Sequence, residues 1–258
     1  MSWRSAVLAI AANTLRDAIR SRVLYVLLFF AIVMIATSAT LATLSYVERE
    51  RILQDVGFAA IRFFGGAIAI FMGVGLIHRE VDRRTIYTIL SKPVSRSAFI
   101  AGKYVGFVAT LWLQLAVMSL CFALVSLGAG APLGAGHAIA LGLTALELAV
   151  VVALATLFSS FASPFLAGCY SLGLYLVGHL TRDLRALGAS SQSELAREIT
   201  LWLHRVLPDL EAFNRTIEAV HQLPIPPHEV LWSAVMGVSW CLGLLLVAVL
   251  TFEQRDFR

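Results

Sequence analysis

Six apolar stretches follow one another along the 258-residue chain, at about 23–45, 57–77, 100–127, 138–158, 165–181 and 230–252. Most are near the roughly 20 residues that a helix needs to cross a hydrocarbon core of about 30 Å. The third is long, as expected of a helix that tilts or runs past the lipid, and the fifth is short. Polar positions gather between them in a charged N-terminal segment over 1–22, a dense island over 78–99 and a long mixed loop over 182–229. This alternation predicts an all-α polytopic fold, with six transmembrane helices in one membrane domain spanning 1–258. No internal repeat is visible.

The N-terminal segment has a different period. Trp3, Val7, Leu8, Ile10, Ala11, Leu15, Ala18 and Ile19 fall on one half of a helical wheel, and Ser5, Asn13, Arg16, Asp17 and Arg20 on the other. That pattern predicts an amphipathic helix lying in the membrane interface. Charges run through its whole length, unlike the separated regions of a cleavable signal. The alternative is an ordinary charged flank of the first span.

Composition agrees with the membrane reading. Hydrophobic residues make up 59% of the chain and charged residues only 14%, against roughly 25% charged in soluble domains. The mean hydropathy is +0.82. No stretch is left over for a soluble catalytic domain. A pI near 9.2 raises the question of nucleic acid, but the basic residues sit beside spans, where topology accounts for them. The segments 1–22, 78–103 and the tail after Phe252 together hold 12 Lys and Arg against 5 acidic residues; the opposite side, with 45–62, 128–137 and 182–229, holds 8 against 10. The excess of basic residues places both termini and the island in the cytoplasm.

The island itself has structure. Ile86, Ile89 and Leu90 stand at i, i+3, i+4 and share a helical face. Asp82 near the start and Lys92 near the end suit the helix dipole. Pro93 stops the helix, because the residue before a proline avoids helical geometry. Ser95 is placed to cap the next helix, which enters the third span. A short helix with an apolar stripe and a charged rim is a shape that docks into a groove on another protein; the alternative is a solvated loop that only enforces topology.

Several chemistries have no residues to carry them. There is no G-x-x-x-x-G-K-[ST] run to cradle ATP phosphates, and no H-E-x-x-H or G-x-S-x-G for zinc or serine hydrolysis. The glycine-rich stretch 128–136 falls at an outer turn. Cys121, Cys169 and Cys241 lie within apolar runs without metal-ligand spacing and read as small hydrophobes. His179, His204, His221 and His228 fall toward the outer side, but their spacing matches no metal pattern, so no metal site is assigned.

Within the spans, Glu147 near the middle of the fourth is costly and is expected to face the protein interior. It either lines a path or holds a neighbouring helix by a hydrogen bond, with Gln114 of the third span as the candidate partner. Arg62, at the outer end of the second span, is expected to snorkel. Gly65, Ala69 and Gly73, four residues apart, allow close helix packing, either at a dimer seam or within one subunit. In the outer loop, 191–207 carries Leu195, Ile199, Leu203 and Val206 on one face with Trp202 beside them. A second helix is expected from Asp209 to about Val220. These helices lie on the membrane surface, roof the spans or bind an outer partner.

The run Glu80-Val81-Asp82-Arg83-Arg84-Thr85-Ile86-Tyr87, continued by Leu90-Ser91-Lys92-Pro93-Val94-Ser95-Arg96, resembles the cytoplasmic segment of permease subunits of ATP-binding-cassette (ABC) transporters of the type-2 exporter class. Arg16-Asp17-Ala18-Ile19-Arg20-Ser21-Arg22 is similar to the same family, and the nearest subgroup is the NosY-like permeases linked to multicopper-enzyme maturation. The resemblance implies a permease that pairs with a second copy of itself, sits in the bacterial inner membrane and exports or extracts a substrate by alternating access. It implies two separate ATPase subunits that bind ATP and Mg, with no cofactor on this chain. It makes Glu80, Asp82, Arg83, Arg84, Ile86, Tyr87, Ile89 and Leu90 the coupling helix on which those subunits dock. A rival reading is a machine that transports nothing and passes ATP-driven motion through 182–229 to a periplasmic partner. A membrane-embedded enzyme is disfavoured, because titratable residues do not cluster at one membrane depth.

Overall fold

The computed structural model describes residues 3–43, 48–82, 95–190 and 194–253. Among these the chain is helical and no strand occurs. The helices are α1 (Trp3–Ile19), α2 (Arg22–Ala42), α3 (Arg49–Asp82), α4 (Arg96–Gly128), α5 (Ala135–Phe161), α6 (Pro164–Ser190), α7 (Glu194–Val206), a 3₁₀ turn at Leu210–Phe213, α8 (Thr216–Val220) and α9 (Pro227–Glu253). Five of them, α2, α3, α4, α5 and α9, are long and apolar enough to cross a membrane. α6 is as long as α5, at 27 residues, but Tyr170, Ser171, Tyr175 and His179 dilute its apolar character.

α5 is the axis of the bundle. Its apolar window is 67% buried, against 22% for α2 and 28% for α9. Val150, Val151, Val152, Ala153, Leu154 and Ala155 are buried in succession, so no face of this stretch is left to lipid. α3 packs along one side of α5 and α9 along another. The seam with α3 is made by the Gly65, Ala69 and Gly73 stripe. A Cβ on Gly65 would stand 2.8 Å from Leu148 Cδ1, and one on Gly73 would stand 2.4 Å from Ala155 Cβ. The stripe therefore seats α5 of the same chain. Ser159 Oγ donates to Val74 O at 3.0 Å further along this seam. On the outward faces of α2 and α9, Phe29, Phe30, Val33, Leu242 and Leu246 are exposed, as befits surfaces facing hydrocarbon.

α4 has 33 residues, about 50 Å of helix, and exceeds a hydrocarbon core of about 30 Å. Ser95 caps it, its Oγ accepting from Ala98 N at 3.2 Å. The surplus first turns are covered by α1. A Cβ on Gly102 would meet Val7 O at 2.9 Å, and one on Gly106 would meet Ala11 O at 2.7 Å, so the two backbones nearly touch. Val7, Ala11, Thr14 and Ala18 form the buried stripe of α1, whereas Trp3 and Leu8 of the same apolar half are exposed. The apolar half thus divides between α4 and the surroundings.

Candidate functional site

Arg62 is the organising residue, and sequence reasoning set it aside as a snorkelling side chain. α3 begins at Arg49, well before the expected 57. Arg62 thus lies 13 residues into the helix, about 20 Å from its end, and is turned inward. Its Nη2 donates to Glu147 Oε2 of α5 at 3.3 Å, stands 3.0 Å from His179 Nε2 of α6, and is 3.7 Å from Glu211 Oε2 in the 3₁₀ turn. Glu147 has no exposed surface. Three long helices and the outer loop converge on one guanidinium.

The neighbours hold this geometry. Gly66 lets α6 approach, since a Cβ there would meet the Tyr175 ring at 2.6 Å, and Tyr175 Oη donates to Arg62 O at 3.3 Å. His179 Nδ1 lies 2.8 Å from Tyr175 O; a carbonyl only accepts, so Nδ1 carries a proton. In the neutral ring Nε2 then offers a lone pair to Arg62. The same nitrogen stands 3.0 Å from Glu147 Oε1, a short but poorly directed contact, and among the described residues Oε1 has no aligned donor.

Gln114 is not the partner of Glu147. It lies at a small dry void bounded by Gly65, Ile68, Leu111 and Leu148, and its buried Oε1 has no partner among the described residues. Leu148, one residue and about 100° around α5 from Glu147, occupies the face that meets Gln114. Glu147 is thereby turned toward α3 and α6.

The 208–220 segment packs against the spans through apolar side chains. Leu210, Phe213, Ala219 and Val220 are buried. Gly178 makes room for Leu210, whose Cγ would lie 2.8 Å from a Cβ there; Gly237 does the same for Leu146 and Phe213. Thr181 Oγ1 donates to Asp209 Oδ1 at 3.0 Å, and Ser233 Oγ donates to Ala212 O at 2.9 Å. The continuous helix expected from Asp209 is broken, because Asn214 bonds locally: its Nδ2 donates to Glu211 Oε1 at 2.6 Å, and its Oδ1 accepts from Thr216 N at 3.2 Å. Such side-chain bonds compete with helix continuation. α7 follows its expected range, with Leu195, Ile199 and Trp202 exposed.

Of the coupling residues, Glu80 and Asp82 fall in the last turn of α3; Arg83, Arg84, Ile86, Tyr87, Ile89 and Leu90 lie outside the described residues. His179 belongs to the Glu147 centre, and His228 lines an open cavity of about 540 Å³ beside α9. Among the described residues, no group of three or more His, Cys, Asp or Glu is arranged to hold a metal ion.

The charged centre joins α3, α5, α6 and the 3₁₀ turn through Arg62. It fastens helices to one another, and the bundle around it is that of a multi-pass membrane protein. The sequence profile of the ABC-2 family transporter proteins matches residues 8–257, nearly the whole chain. The protein belongs to that family and is a transport component, the permease part of an ABC transporter, which works with an ATP-binding partner. No curated protein matches the chain.

Proposed function

We propose that this permease exports or extracts its substrate by alternating access, with the 208–220 segment as the outer gate. In this reading α6 is the sixth span, α1 lies in the membrane interface, and both termini and the 78–99 island face the cytoplasm of a bacterial inner-membrane protein. Two copies of the chain pair, and two ATPase subunits carrying ATP and Mg dock on the island. The observation that carries the proposal is the seating of 208–220 in the bundle, tied through Glu211 to the buried Arg62–Glu147 pair. A desolvated charge pair separates only when water or new partners reach it. The segment therefore stays closed until the helices bearing Arg62, Glu147 and His179 move. The finer placement among permeases of multicopper-enzyme maturation rests on the resemblance of the island and of Arg16–Arg22.

The test uses Ala212→Cys in a background where Cys121, Cys169 and Cys241 are serine. Ala212 is 8% exposed. A membrane-impermeant maleimide applied from outside should label it slowly without nucleotide and several-fold faster when the ATPase partner is trapped with ATP. Equal labelling in both states removes the gate. A second reading, mechanical transmission to a periplasmic protein, draws on the exposed Leu195, Ile199 and Trp202 of α7. ATP turnover stimulated only by such a protein, with no substrate, favours it.

A further inference from the structure

The corner between α1 and α2 holds three basic residues that the fold does not use. Ser21 has an extended backbone (φ −73°, ψ 118°) and separates the two helices. α2 has 21 residues, about 31 Å of helix, which matches a hydrocarbon core of about 30 Å. Its first residue, Arg22, therefore stands at the hydrocarbon boundary. Arg16 lies in the last turn of α1, and Arg20 directly follows that helix. All three are exposed.

α1 has three different sides. Val7, Ala11, Thr14 and Ala18 form the buried side, and the contacts at Gly102 and Gly106 put it against α4. About a quarter turn round, Leu8, Ala12, Leu15 and Ile19 repeat at i, i+4, i+7 and i+11, and Leu8 is 67% exposed. Arg16 stands on the side opposite α4, with Arg20 four residues on. Protein, apolar surface and cation in that order suit a helix at a bilayer surface. Among the described residues, Arg16, Arg20 and Arg22 make no ion pair. Asp17 is the one acid in 1–22. It is turned about 100° from Arg16, and its Oδ2 accepts from Asn13 Nδ2 at 3.2 Å. The corner thus offers net positive charge at headgroup depth. Just inside it, Val26 and Phe30 stand one turn apart on α2 and are exposed, which gives acyl chains a surface to lie on.

We infer that the α1–α2 corner binds an anionic phospholipid, its headgroup at Arg16, Arg20 and Arg22 and its chains along Val26 and Phe30. Charge complementarity selects the occupant: guanidiniums pair with phosphate, and basic residues beside a span attract anionic lipid. The inference rests on the proposed orientation only for the leaflet that supplies the lipid.

Dioctanoyl phosphatidylglycerol is the probe, with dioctanoyl phosphatidylcholine and glycerol 3-phosphate as comparisons. Each is titrated calorimetrically into the full-length permease with its ATPase partner in uncharged maltoside micelles, with empty micelles subtracted. Phosphatidylglycerol should bind at least about tenfold more tightly than phosphatidylcholine, and 0.5 M salt should erase most of that preference, the Debye length there being only about 4 Å. Arg20→Gln should weaken phosphatidylglycerol about fivefold. Arg16→Gln with Arg20→Gln should leave the two lipids within about threefold of each other. This pair keeps Arg22 at the start of the span, so insertion is preserved, and an unchanged thermal midpoint checks the fold. Arg16→Lys with Arg20→Lys should retain most of the preference, which a purely structural role of the corner would not predict. Equal binding of the two lipids by the parent overturns the proposal, as does a preference that survives in the double Gln variant. Glycerol 3-phosphate binding as tightly as the lipid also overturns it, because the chains then contribute nothing. None of these measurements depends on ATP, so their failure leaves the Ala212→Cys labelling result standing.

Discussion

Replacing Glu147 by Leu removes the carboxylate and leaves Arg62 buried, with the neutral His179 ring at 3.0 Å and the carboxylate of Glu211 at 3.7 Å. At the 3.3 Å separation of the pair, the Coulomb attraction is about 5 kcal/mol for an effective dielectric of about 20. Truncating one member of a buried pair costs about 3–5 kcal/mol, because the survivor stays desolvated. For a chain of this size that is a fall of roughly 10 °C in the thermal midpoint. Glu147→Gln should lose less, since its amide oxygen still accepts from Arg62. Combining Glu147→Leu with Arg62→Met removes both charges and should return the midpoint to within about 4 °C of the parent. Thermal unfolding of the purified permease, followed by helical ellipticity, gives the midpoints of the parent, Glu147→Gln, Glu147→Leu, Arg62→Met and the double variant. If the double variant loses the sum of the two single losses, Arg62 and Glu147 are not energetically paired and the account of the centre fails. If stability returns but ATP no longer accelerates labelling at the Ala212→Cys thiol, the charges serve movement as well as assembly.

Gly73→Ala should destabilise the bundle by about 1–3 kcal/mol through overpacking against Ala155, and Ala155→Gly should restore part of it; thermal midpoints of the single and double variants decide. Gly106→Val should lift α1 from α4, since a side chain there meets Ala11 O, and limited proteolysis should then cut within 3–19 while the spans stay intact. Ile89→Asp with Leu90→Asp should abolish co-purification with the ATPase subunit while the permease remains in the membrane; undiminished co-purification refutes the docking role.

Features set by short-range chemistry were legible in the sequence. Ser95 caps α4 because a hydroxyl at that position reaches the amide three residues on. Four of the six apolar runs became helices near their expected ends, α3 and α6 ran well beyond theirs, and α7 appeared where its period placed it. The charged centre was not legible in the same way. Arg62, Glu147 and His179 are separated by 85 and 117 residues in their contacts with Arg62, and no local pattern joins them. Glu147 announced itself through the cost of its burial, but its partner depended on where α3 begins and how α5 is rotated. The break at Asn214 did have a signal, an Asn able to bond both to Glu211 and to the amide of Thr216, but the apolar spacing around it suggested an unbroken helix.

The contact of α1 with α4 has a mechanical meaning. Two helices whose backbones meet at Gly102 and Gly106 bend and tilt together, as one stiff beam. With the chain oriented as proposed, α1 lies beside the first turns of α4 as a float about 25 Å long. A push arriving at Ser95 is then spread along the whole float, and rocking of α4 has to lift or press that float against the lipid surface. The thickness and lateral tension of the surrounding bilayer would thereby set the resistance against which each ATP-driven stroke works.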